Sequence, residues 1–120
     1  MSYAAYATVQ KASETSRDTE IRAVSHVTRQ LFDVNKPSAD PISRIHALRG
    51  NAKLWSLLIE DLSDPGNALP DVLKASYISL GLFACRTSLA AMSGDTDLST
   101  LIRINTDVLE ALDHQRTAAA

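Results

Sequence analysis

The stretch "LWSLLIEDLSDPGNALPDVLKASYISLGLF", Leu54 to Phe83, limits what this chain can fold into more than any other. Two apolar runs, each long enough for a helix, are separated by Asp64-Pro65-Gly66-Asn67 and then by Leu69-Pro70. Proline cannot continue a helix interior and Pro-Gly is a strong breaker, so the chain must stop and restart here. A short connection between two sticky helices makes them antiparallel neighbours. The stretch therefore predicts a helical hairpin, and with it an all-α domain.

The remainder of the chain reads the same way. Residues Tyr3 to Ala12 are Ala-rich and weakly amphipathic, which predicts a short first helix. "SETSRDTE" then breaks the pattern, with Ser16 as N-cap and Asp18 and Glu20 in the next first turn, where the helix dipole favours negative charge. Ile21, Val24, Val27, Leu31 and Val34 recur at steps of three and four, up to Asn35 and Pro37. Asp40 is placed to cap, and Pro41 to fill the first position, of a third helix. Its stripe is Ile42, Ile45, Leu48, Ala52, Trp55, Leu58, Ile59 and Leu62, with Gly50 tolerated inside it or, in a second reading, dividing it. Pro70 opens a fourth helix in the same first-position manner. From Val72 to Met92 this helix is apolar on nearly every side, which predicts a central element or one covered by a partner. Ser93-Gly94 predicts a left-handed stop. Thr96 or Asp97 starts the last helix, with Leu98, Leu101, Ile102, Val108, Leu109 and Leu112 along one side. The expected fold is one domain over residues 1–120, a small bundle of four to five helices.

Composition narrows the function classes. With 12 basic and 14 acidic residues the net charge is −2, and no run of Lys or Arg stands out. Nucleic-acid binders concentrate positive charge on one face, so direct RNA or DNA binding is disfavoured. No segment reaches about 18 uninterrupted apolar residues, and the start lacks a charged head followed by an apolar core. We therefore expect a cytoplasmic protein without a membrane partner. The single cysteine, Cys85, sits in an apolar run, where a small buried thiol is the ordinary role.

Chemistry is largely missing. His26, His46 and His114 fall on three different helices, and Glu110 with His114 is the one metal-like spacing, better read as an exposed pair. Glu60-Asp61 has neither a nucleophile nor a phosphate-binding loop beside it, and Cys85 has no base at a telling spacing. We expect no enzyme, no catalytic residue, no metal and no cofactor. Binding by a surface is the better class. Trp55 belongs on an apolar face, its indole N–H needing a partner, at the edge of a groove.

The same residues carry a family resemblance. Leu54–Pro70, with its Trp, acidic helix end and Pro-x-Asn-x-Leu-Pro turn, followed by the apolar helix, closely resembles FlaF, the flagellar biosynthesis regulators. "SYAAYATVQKASETSRDTEIRA" is similar to the family's start and "LIRINTDVL" to its last helix; Lys53 stands where the family often has Arg. The resemblance implies a small cytoplasmic helical protein needed for flagellin production and filament assembly. It implies flagellin as a partner, bound as a secretion chaperone would bind it, and FlbT, which restrains flagellin mRNA translation, as a further one. The face expected to hold an amphipathic flagellin helix combines Trp55, Leu58, Ile59 and Leu62 with Ile78, Leu82 and Phe83, along the seam between the two helices. The alternative is a post-transcriptional regulator of flagellin mRNA acting with FlbT, through adaptor contacts or direct RNA binding.

Overall fold

The computed structural model describes the backbone of residues 3–119 and the side chains of residues 17–114. It contains four helices, α1 (Tyr3–Val34), α2 (Pro41–Ser63), α3 (Asp71–Ala91) and α4 (Ser99–Ala119), and no strand among the described residues. The all-α bundle is thus the observed fold.

The two expected N-terminal helices are one. α1 runs unbroken from Tyr3 through "SETSRDTE", correcting the break. Ser and Thr each cost only up to about 0.7 kcal/mol inside a helix, and no Pro or Gly interrupts this segment. The first turns are therefore continuous with the rest of α1.

Asp40 and Pro41 start α2 as expected: the Asp40 carboxylate accepts from the backbone N–H of Ser43 at 3.0 Å. Gly50 lies inside the continuous helix. At the far end Asp64 accepts from the N–H of Gly66, Asn67 donates its amide to Asp61, and Leu69 N–H donates to the Asn67 side chain. The turn is thus held by its own polar side chains. Pro70 occupies the flanking position before α3, not its first turn. No described glycine takes a positive φ, so the stop at Gly94 is not left-handed.

The helices form an antiparallel ring. α2 and α3 share the most extensive interface, α1 packs on both α4 and α2, and α3 barely approaches α4. The two diagonals make no backbone approach. At one end Asn35 joins the end of α1 to the start of α4, accepting from Leu98 N–H and donating to Asp97. Asp97 also accepts from Ser99 N–H and hydroxyl, and these bonds hold its carboxyl below the ordinary carboxylate value. Arg44 of α2 donates to the Thr96 carbonyl at 2.6 Å, closing the same end.

The core holds Leu31 and Val34 of α1, Leu48 and Trp55 of α2, and Leu101, Ile104 and Val108 of α4. Ile42 and Ile45, expected on the buried stripe, are exposed, and Ala47, Asn51 and Leu54 are buried in their place. The stripe is turned from the expected line because α2 faces two neighbours.

The larger correction concerns α3, which is not the central helix. Its buried residues are Gly81, Ala84, Ser88 and Ala91, and through them it lies close along α2. Val72, Leu73, Leu82, Phe83 and Leu89 face solvent. Small residues make a close seam, and the large ones are left outside it. The buried centre is α2.

Candidate binding site

The splay between α3 and α4 leaves a cavity of about 490 Å³, within the ~300–1,000 Å³ range of ligand pockets. Trp55, Leu58 and Leu62 of α2, Leu69 of the turn, Tyr77 of α3, and Val108, Ala111 and Leu112 of α4 line it. Arg17 and Glu20 of α1, Asp61 of α2 and Asn67 of the turn supply its polar wall. The site lies at the end of the bundle opposite the Asn35–Asp97 junction. The α2–α3 turn is the one link between helices at that end, and α3 and α4 are joined only at the other.

A buried polar chain fixes the floor. Trp55 Nε1 donates to Asn105 Oδ1 at 2.9 Å, Asn105 Nδ2 donates to Asn51 Oδ1 at 2.8 Å, and Asn51 Nδ2 donates to Ser88 Oγ at 2.9 Å. Ser88 Oγ donates in turn to the Ala84 carbonyl. The chain ties α4, α2 and α3 across the diagonal that backbones do not bridge. Trp55 is 1% exposed, so it is enclosed and not at a groove edge; its edge forms part of the cavity floor while the indole N–H is satisfied within the core.

The seven expected contact residues divide. Trp55, Leu58 and Leu62 meet around the cavity. Ile59 instead packs into the α2–α3 seam, where a Cβ on Gly81 would lie 2.9 Å from its Cγ1 and 2.8 Å from the Trp55 ring. Ile78 is half-buried, and Leu82 and Phe83 are exposed on the outside of α3. The seam is closed, so it has no room for a guest helix. The opening lies on the other side of α3, toward α4.

The polar wall carries the site's one clear electrostatic feature. Glu20 is half-buried, and its carboxyl is held above the ordinary value, first by loss of water and then by the charge of Asp61; Arg17 pulls it back down. In the sequence Glu20 stands out only as a helix-start residue, and Asp61 only as the neighbour of Glu60. Their proximity arises from the antiparallel register of α1 and α2, which no local pattern encodes.

Elsewhere the chemistry is sparse. Cys85 is half-buried in the seam, its Sγ 3.5 Å from the Ala52 carbonyl and 3.7 Å from Ser56 Oγ. His26, His46 and His114 are exposed and apart. Among the described residues no group of three or more His, Cys, Asp or Glu could hold a metal ion, and no helix is long and apolar enough to cross a membrane.

Comparison with known proteins adds the identity of the group. No curated protein and no solved structure matches the chain significantly. A family model described as "Flagellar protein FlaF" matches residues 2–112, which takes in α1 to α3 and the first two thirds of α4. The chain belongs to the FlaF family of flagellar proteins.

Proposed function

We propose that this chain is a flagellin-binding regulator of flagellar filament assembly that shelters an amphipathic helix of flagellin before export. The observation that carries the reading is the apolar cavity opened by the divergence of α3 from α4. A fifth helix laid between them would complete the bundle, burying its own apolar face against Leu58, Leu69, Tyr77 and Leu112 (helix-in-groove recognition). Covering such a helix keeps flagellin from associating with itself in the cytoplasm. No enzyme activity, cofactor or nucleic-acid contact belongs to this reading. The test is titration of the purified chain with flagellin from the same organism. A one-to-one complex with Kd of about 10 μM or tighter is expected (~7 kcal/mol); no complex at ten times that concentration would sink the proposal.

The outer row of α3 favours a second reading. Leu82, Phe83 and Leu89 are each exposed on α3, and none lines the cavity. An adaptor that acts with FlbT on flagellin mRNA would meet that protein there. Co-purification with FlbT and flagellin offered singly separates the two readings, and salt-sensitive binding to the flagellin leader RNA would point to direct RNA contact.

A further inference from the structure

The cavity asks more of its guest than an apolar face. One wall carries Glu20 and Asp61 against the single positive charge of Arg17, so the wall is acidic on balance. Asp61 is further engaged by Asn67, which donates to it at 3.3 Å and keeps its carboxylate at this position. The floor beside this wall is apolar, formed by Leu58, Leu62 and Leu112. The site thus offers an acidic wall and an apolar floor within one cavity.

We infer that Glu20 and Asp61 receive one Lys or Arg side chain of the bound helix, next to the apolar side chain that enters the cavity. The inference rests on the flagellin-helix reading and adds the chemistry that the helix must carry. A cationic side chain reaching this wall finds two carboxylates whose mutual repulsion it relieves. Its aliphatic stem can lie on the apolar floor while the charged head stays at the wall. A neutral or acidic side chain would leave the repulsion in place or add to it. In the free chain the half-buried Glu20 is therefore a liability, of the kind that proteins carry where binding requires it.

The proton balance gives the inference a signature. In the empty cavity desolvation and Asp61 both raise the Glu20 carboxyl above the ordinary value, and Arg17 alone opposes them. Tyr77 is the remaining ionisable group on the cavity wall. A bound cation favours the carboxylate, so binding pulls that value back down. Affinity must then rise with pH through the range in which Glu20 titrates, and fall below it.

The test compares the wild-type chain with Glu20→Gln and with the double variant Glu20→Gln/Asp61→Asn. Flagellin affinity is measured at pH 7.5 and in the acid range, together with the melting temperature of each free chain. The double variant should bind about tenfold or more weakly at pH 7.5. Glu20→Gln should melt at a higher temperature than wild type, and its binding should lose the pH dependence. Binding by the double variant within about twofold of wild type, or tighter than wild type, would overturn the inference while leaving the flagellin reading intact. Weaker binding accompanied by a lower melting temperature would assign the two carboxylates to the fold, and would also overturn it. A wild-type chain that binds no flagellin at all would end both.

Discussion

Single residues decide how closely α2 and α3 approach, and two glycines show it by contrast. At Gly81 an added Cβ would stand 2.8 Å from the Trp55 ring and 2.9 Å from Ile59, closer than real contacts allow. At Gly50 it would meet only the end of the Gln30 side chain, at 3.9 Å. Alanine gains about 1 kcal/mol over glycine in a helix at either position. Gly50→Ala should therefore stabilise the chain by roughly that amount, and Gly81→Ala should destabilise it by up to about 2 kcal/mol, the ~1–3 kcal/mol of overpacking less the helix gain. Urea unfolding of the two variants reads both signs; a stabilising Gly81→Ala would refute the close seam. Asn105 is the second decisive residue, because it accepts from Trp55 and donates to Asn51 where water has no access. Asn105→Ala strands both partners and leaves a hole, for an expected loss of about 2–4 kcal/mol in the same assay. A loss under about 0.5 kcal/mol would mean that the polar chain is dispensable.

Among the elements, what could be read from the sequence was what local chemistry controls. Asp40-Pro41 marks the start of α2 because a carboxylate cap and a fixed φ act within one turn. Asp64 to Pro70 marks the hairpin for the same reason. The break drawn at Ser16 was a competition of tenths of a kcal/mol per residue, and continuity of the Ile21–Val34 stripe outweighed it. For α3 the sequence left two readings, central or covered by a partner, because composition does not separate them, and the structure removes the first. Its packing face consists of Gly81, Ala84, Ser88 and Ala91, residues that hydrophobicity reasoning weighs least. Three of the seven expected contact residues do border the cavity, since Trp55, Leu58 and Leu62 share one side of α2. Glu20 and Asp61 were out of reach, because their meeting depends on how α1 and α2 register. The placement of α3 is itself open to test. Phe83 is 44% exposed on its outer face, so Phe83→Glu should change stability by no more than about 0.5 kcal/mol. A loss near the 3–5 kcal/mol of a core Phe truncation would put α3 inside the bundle after all.

For the whole molecule, the question is why one end is tight and the other open. Asn35, Asp97 and Arg44 knit α1, α2 and the α3–α4 connection together at one end. At the other end the hairpin turn joins α2 to α3, and α3 departs from α4, leaving about 490 Å³ of apolar-lined space. Ordinary cores do not keep such a space, because each unfilled methyl position costs about 1 kcal/mol. If the space exists only because this small bundle packs imperfectly, filling it should improve the protein without further consequence. If it is a seat, filling it should cost binding and nothing else. Ala111 lines the cavity from α4, and leucine there keeps helix propensity nearly unchanged. Ala111→Leu should therefore hold or raise stability by up to about 1 kcal/mol, while flagellin affinity falls by about tenfold or more. The two readings part in the second measurement: undiminished binding by a stable Ala111→Leu chain would mean that the client sits elsewhere, and the uncovered face of α3 would then be the surface to examine.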